Sequence, residues 1–212
     1  MTFVFDLGGV LADLDVHGFI ERLRALMDAD SELGASVEEL TSGGGDSFLH
    51  EYELGHISTE ECMKCFHRLC RPEVTDEEIR QVWLSELKPV KESAKQLILR
   101  LRREGHKVFM LSNTNDMHWQ YIKPMFEENG HKLEDYFNKV FLSFDTGMIK
   151  PHKEVYDEVE KYIEDKEEVV YVDDAEKNRL QGERHGWVTF SSIEECLKSL
   201  DLCSKTSIGG GV

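Results

Sequence analysis

Asp6 follows the short apolar run Phe3-Val4-Phe5 and precedes Leu7-Gly8-Gly9. That is the pattern of a buried strand delivering one carboxylate into a glycine-rich turn. Three further polar sets stand in comparable places. Ser112-Asn113-Thr114-Asn115 follow the run from Val108 to Leu111, Asp173-Asp174 follow the run from Val169 to Val172, and Lys150 precedes Pro151 where a helical pattern opens. A Ser or Asp at a strand end most often caps a helix, so each set by itself says little. Together they comprise a carboxylate nucleophile, paired acids suited to a divalent cation, a hydroxyl and a lysine. That is equipment for moving a phosphoryl group.

The elements that must position these groups alternate along the chain. Besides the first run, apolar strands are predicted at Val108 to Leu111, Val140 to Leu142, Val169 to Val172 and Trp187 to Phe190. Helical patterns lie between and after them. One is Ala94-Leu97-Ile98-Leu101, closed by Gly105; another runs from Asp116 toward Gly130, with Pro124 kinking or ending it. Others span Lys153 to Ile163, Ala175 to His185 and Ile193 to Leu200. Strands alternating with helices predict a parallel sheet covered on both faces, with working residues beyond the carboxyl ends of the strands.

Residues 16–87 break the alternation. They hold no convincing strand, and Ser36 with Glu39, Ser58 with Glu61 and Thr75 with Glu78 fit the capping-box spacing. Asp46 is a further N-cap candidate. The run Gly43-Gly44-Gly45 lacks a following Gly-Lys-Ser/Thr and reads as a joint rather than a phosphate loop. The expectation is an α/β protein with a three-layer, Rossmann-like core of residues 1–15 and 88–204, a helical cap of 16–87 and a flexible tail of 205–212.

These residues carry a resemblance. Phe5-Asp6-Leu7-Gly8-Gly9-Val10-Leu11, Leu111-Ser112-Asn113, Lys150-Pro151 and Val172-Asp173-Asp174 with Asn178 resemble, in order, the four motifs of the haloacid dehalogenase-like hydrolases. Within that family the pattern is most similar to the branch of bacterial α-D-glucose-1-phosphate phosphatases. The resemblance implies that Asp6 attacks phosphorus and forms an aspartyl-phosphate. It implies Mg²⁺ on the Asp6 carboxylate, the Gly8 carbonyl and Asp174, with Asp173 behind them or as an alternate ligand. Ser112 and Asn113 would bind the phosphoryl oxygens, Lys150 would neutralise nucleophile and transferring group, and Asn178 would pin the loop.

One position departs from the pattern. Most phosphatases of the family carry a second Asp two residues after the nucleophile, as acid and base; here Gly8 stands there. Losing such a proton donor typically costs roughly 10²–10⁴ in rate. Asp13, Asp15, His50 and His56 are candidate replacements by sequence position. The gap also raises two other readings, a metal-independent 2-haloacid dehalogenase and a catalytically idle phosphate-binding scaffold. The retained Asp173-Asp174 pair favours the metal-dependent phosphatase, because adjacent acids stay charged most easily around a cation.

Composition narrows the partners. The chain has 212 residues, with Lys+Arg 25 against Asp+Glu 42 and a formal charge of -17. That balance disfavours nucleic acid and anionic membrane surfaces, so the expected partner is a small phosphorylated metabolite, a hexose-1-phosphate among them. The oligomeric state is left open, a monomer included. Five Cys in a chain of this size, with no signal-like start or apolar run of membrane length, predict a cytoplasmic protein. Cys62, Cys65 and Cys70 invite a zinc reading, but no second pair matches them, and an apolar helix face accounts for them better.

Overall fold

The computed structural model describes residues 1–28, 47–164 and 167–199. The expectations for Ser36 with Glu39, Gly43–Gly45, Asp46 and the tail lie outside them. Five strands form one parallel sheet: β1 (Thr2–Phe5), β4 (Lys107–Ser112), β5 (Lys139–Leu142), β6 (Val169–Val172) and β7 (Val188–Phe190). Their order is β5-β4-β1-β6-β7. The chain builds outward on one side of β1 and then crosses to the other. That reversal opens a crevice beyond the carboxyl ends of β1 and β6, where doubly wound sheets bind their ligands.

The register sets what faces that crevice. Phe5 lies opposite Met110 on β4 and Val172 on β6, so Asp6 and Asp173 leave the sheet side by side. All four residues of β1 and of β6 are buried, as expected where helices cover both faces. Phe3 and Phe5 pack into one apolar cluster and Val4 into the cluster on the opposite face, the period-two alternation of a strand. Helix α5 (Glu92–Arg103) covers the first face with Ala94, Leu97, Ile98 and Leu101, one stripe at 3.6-residue period. α6 (Asp116–Phe126), α7 (Leu133–Tyr136), α8 (Ser143–Thr146), α9 (Lys153–Glu160), α10 (Glu176–Arg184) and α11 (Ile193–Ser199) complete the layers.

Between β1 and α5 the described residues are mainly helical: α1 (Val16–Leu26), α2 (Phe48–Glu53), α3 (Thr59–Leu69) and α4 (Asp76–Leu84). The anticipated capping boxes form at α3 and α4. Ser58 and Thr75 hydroxyls accept from the backbones of Glu61 and Glu78, whose carboxylates accept in return. Such a cap is worth ~1 kcal/mol. These helices bury their own cluster, including Phe19, Leu23, Tyr52, Phe66, Ile79 and Trp83. Cys62 and Cys70 are buried in it as free thiols.

At the two borders of that segment lies a strand pair the sequence pattern does not announce. β2 (Ala12–Leu14) and β3 (Leu87–Val90) form an antiparallel pair where the helical segment leaves and rejoins the sheet. Pro89 and the exposed Lys88 hide β3 from a hydrophobic-pattern reading, and β2 shows a single inward side chain. Among the described residues, no helix is long and apolar enough to cross a membrane.

Candidate active site

At the carboxyl end of β1, Asp6 bends back so that its Oδ1 accepts the Leu7 amide at 2.6 Å. Its Oδ2 lies 2.9 Å from Lys150 Nζ, and the same ammonium lies 2.7 Å from Asp173 Oδ2. Lys150 is 3% exposed and Asp173 fully buried, and Asp6 keeps only a small exposed edge, so the trio is a largely buried charge cluster. Burial pushes the Asp6 carboxyl up to about 7, with Lys150 pulling down and Asp173 pushing further up. Asp173 is also opposed by burial, yet Lys150, Tyr171 and Asn178 hold it below the usual carboxylate range. Burial disfavours the Lys150 charge, but the two acids beside it outweigh that and hold the ammonium well above its ordinary value.

Asp173 earns that stability from its donors. Tyr171 Oη donates at 2.5 Å, the Ala175 amide at 2.9 Å, and Asn178 Nδ2 to both oxygens at 3.0 and 3.1 Å. Asn178 therefore pins the carboxylate itself. Arg179 braces the same turn through the Asp173 and Asp174 carbonyls at 2.8 and 2.7 Å.

Asp174 is exposed, and its carboxylate lies over Gly9: a Cβ there would stand 2.3 Å from Asp174 Oδ2, and Gly9 has φ +72°. Only glycine meets both demands. One oxygen from each of Asp6, Asp173 and Asp174 falls within 4.8 Å of the others. Three carboxylates, two buried and one exposed, stand against one ammonium and leave an excess of negative charge. An all-oxygen donor set with that imbalance fits a hard divalent cation.

Ser112 ends β4 and is 3% exposed. Asn113 is spent on position: its Oδ1 accepts from the Lys150 amide at 2.8 Å and its Nδ2 donates to the Lys150 carbonyl at 3.0 Å. That clasp aims Lys150, whose peptide bond to Pro151 is cis. Thus every site residue anticipated from sequence, Asp6, Gly8, Ser112, Asn113, Lys150, Asp173 and Asp174, stands at the same end of the sheet.

The proposed replacements for the acid missing at Gly8 fare worse. Asp13 is exposed and paired with Lys91 at 2.7 Å. Asp15 caps α1 and is held ionised near 2 by Lys88 and Arg22, so it has no proton to give. His56 is exposed and paired with Glu51 at 2.8 Å. Of the four, His50 alone lines the cavity that opens over the site. Two residues that sequence reasoning missed line it as well, Glu53 and Glu86. In sequence they look like ordinary polar positions at helix ends; no spacing signal marks them.

The haloacid dehalogenase-like hydrolase family matches residues 1–186. The chain belongs to that family. A D-ribitol-5-phosphate phosphatase from Bacteroides thetaiotaomicron is 36% identical over 199 residues, covering 89% of this chain and 90% of the relative. Among solved structures, a HAD family enzyme from the same organism, in complex with magnesium and inorganic phosphate, is 32% identical with a TM-score of 0.77. The match covers 90% of this chain and 92% of that one. A predicted HAD-like family hydrolase from Porphyromonas gingivalis gives a TM-score of 0.80 at 26% identity, covering 97% and 98%. This HAD-like hydrolase thus shares its α/β fold with those enzymes over nearly its whole length.

Proposed function

We propose that this hydrolase is a Mg²⁺-dependent phosphomonoesterase that cleaves a small phosphorylated polyol or sugar through an aspartyl-phosphate on Asp6. The observation that carries this reading is the Asp6–Lys150–Asp173 cluster, with Asp174 over Gly9, next in the chain to the cavity-lining Leu7, Gly8, Ser112 and Asn113 turns. Asp6 Oδ2 would attack phosphorus while Lys150 offsets the charge that builds on the equatorial oxygens. Ser112 would donate its hydroxyl to one of those oxygens and Asn113 its backbone amide. Asp6, the Gly8 carbonyl and Asp174 would hold the ion, with Asp173 fixing Lys150 behind them. Magnesium, when bound, supplies Lewis-acid neutralisation of the phosphoryl group. The magnesium and phosphate complex of the Bacteroides enzyme supports this assignment.

Residues 16–87 would act as a cap that supplies the leaving-group pocket and shields the aspartyl-phosphate from stray water. A cavity of about 230 Å³ falls below the usual ~300–1,000 Å³ of small-molecule sites, which supports a compact substrate. The named relative supports a sugar-alcohol phosphate; a hexose-1-phosphate, with its more acidic leaving hydroxyl, is the second candidate. The described cysteines Cys62, Cys65, Cys70 and Cys196 are all free thiols, which supports a reducing compartment such as the cytoplasm.

Phosphate release tests the reading. A panel of pentitol phosphates, hexose-1-phosphates and hexose-6-phosphates, assayed with Mg²⁺ and with chelator, should show Mg²⁺-dependent turnover that Asp6→Asn abolishes. Halide release from a 2-haloacid that survives chelator would establish the dehalogenase instead. Phosphate binding without turnover of any ester would establish the scaffold.

A further inference from the structure

The cavity over the site holds two carboxyl side chains to which phosphoryl transfer, as described, assigns no task. Its floor includes Leu7, Gly8, Ser112 and Asn113, and it reaches Glu53 at the end of α2 and Glu86 in the turn between α4 and β3. Both are half-buried. Among the described residues Glu53 has no hydrogen bond or ion pair. Glu86 has only His118 Nε2, at 4.0 Å. That nitrogen lies 3.1 Å from the Trp83 carbonyl, which can only accept, so its hydrogen is spent there; Nδ1 faces the Asn115 amide at 3.2 Å. Burial keeps the imidazole neutral by lowering it to about 4. His118 therefore brings Glu86 no positive charge, and its own proton is committed.

Two carboxyls facing one partly enclosed space disfavour each other's charge. Burial pushes Glu86 up to about 7, and the Glu53 charge adds to it. Burial raises Glu53 to about 7 as well, against a pull from Lys177 on α10.

The position matters as much as the proton. Leu14 lies against Gly8, with a methyl carbon 3.3 Å from where a Gly8 Cβ would stand. Leu14 pairs with Leu87 across β2 and β3, and Glu86 is the next residue, its carbonyl accepting the Asp15 amide at 2.8 Å. The strand pair thus fixes Glu86 on the wall of the cavity that Gly8 also lines.

We propose that Glu86 is the general acid that stands in for the carboxyl missing at Gly8, with Glu53 as the positioning residue that keeps the proton on it. The proposal rests on the phosphomonoesterase reading above. In the first step a bond forms between Asp6 Oδ2 and phosphorus as the ester P–O bond breaks. The electron pair goes to the leaving oxygen, which takes the Glu86 proton and departs as a neutral alcohol. In the second step water bonds to phosphorus and the Asp6–phosphorus bond breaks, returning its pair to Asp6. The proton lost by water goes to the Glu86 carboxylate, and the acid is restored.

Leaving-group acidity separates this role from any other. A pentitol phosphate expels an alkoxide that needs the proton; p-nitrophenyl phosphate expels a phenolate that does not. In the Mg²⁺-loaded enzyme, Glu86→Gln should lower kcat/KM, which ends at leaving-group departure before the water step both esters share, by about 10²–10³-fold on the pentitol phosphate and by less than about threefold on p-nitrophenyl phosphate. Glu53→Gln should show the same preference at about tenfold. Equal loss on both esters, a rise in KM alone, or no change would overturn the proposal. Should Glu86→Gln fail to fold, the unsubstituted enzyme decides across a series of aryl and alkyl phosphates. A shallow dependence of kcat/KM on leaving-group pKa is expected, and a steep one overturns the proposal. If the unsubstituted enzyme releases phosphate from neither ester, the phosphomonoesterase reading itself has failed.

Discussion

Below the cavity, Lys150 lies within 2.9 Å of Asp6 and 2.7 Å of Asp173, and every oxygen of Asp173 is met by a donor. Above it, Glu53 and Glu86 face the same space, neither in an ion pair with a lysine or arginine, and burial raises both to about 7. The floor concentrates negative charge and offsets part of it with a fixed ammonium, leaving a deficit that suits a divalent ion. The roof keeps its acids near neutrality with apolar walls, which suits a neutral leaving group and a transferable proton. Burial raises the acids on both sides; at the floor the Lys150 ammonium opposes it and Asp173 stays below the usual carboxylate range, whereas no ammonium opposes it at Glu86.

Floor and roof are joined at a few points. Tyr52 Oη accepts the Met117 amide at 3.0 Å and lies 2.8 Å from Thr59 Oγ1, which donates to Asp116 at 3.1 Å. Trp83 Nε1 donates to Asn115 at 3.3 Å, and its indole stacks on His118 at 5.1 Å. Gly55, at φ +72°, presses on the Phe144 carbonyl, which a Cβ would approach to 2.0 Å.

The contrast can be broken from the floor first. Asp6→Asn removes the nucleophile and should lower turnover by about 10⁴-fold or more while leaving the fold intact, read by phosphate release and thermal unfolding. Lys150→Met removes the ammonium and leaves two buried carboxylates facing each other. A loss of about 3–5 kcal/mol is expected, seen as a Tm lower by roughly 6–20 °C. Added Mg²⁺ should recover more Tm in that variant than in the parent, because the ion supplies the missing charge.

The junction comes next. Gly55→Ala meets both a strained φ and the Phe144 carbonyl, and should cost about 2–3 kcal/mol by denaturant midpoint. Activity should fall further than stability accounts for at 25 °C, as the roof is pushed off the floor. Trp83→Phe is the mildest change: it deletes one hydrogen bond to Asn115 and should cost about 1 kcal/mol, with KM affected before kcat. A Gly55→Ala enzyme with parental stability and kinetics would show that roof and floor work independently.

The floor was legible in the sequence because each of its residues ends an apolar run, and a parallel sheet brings such ends together. The strands from Val108, Val140 and Val169 and the capping boxes at Ser58 and Thr75 were legible for the same reason: local pattern and local physics agree there. The β2–β3 pair was not, since Pro89 and outward Lys88 mask a strand whose pairing is set by chain return rather than propensity. Glu53 and Glu86 were not legible either. Their significance comes from enclosure by Leu49, Trp83 and Leu87, contributed by separate elements. Asp13 and Asp15 looked closer to the nucleophile in sequence, yet surface lysines and an arginine claim both.

The central claim is covalent chemistry at Asp6. Enzyme quenched during turnover of a pentitol phosphate and treated with borohydride should yield homoserine at position 6 in the N-terminal peptide, read by mass spectrometry, because reduction converts an aspartyl-phosphate to that residue. The signal should require Mg²⁺, and with p-nitrophenyl phosphate, whose departure needs no acid, it should grow in Glu86→Gln as the water step loses its base. Active enzyme that releases phosphate under the same conditions with Asp6 unmodified at every quench time would contradict the account.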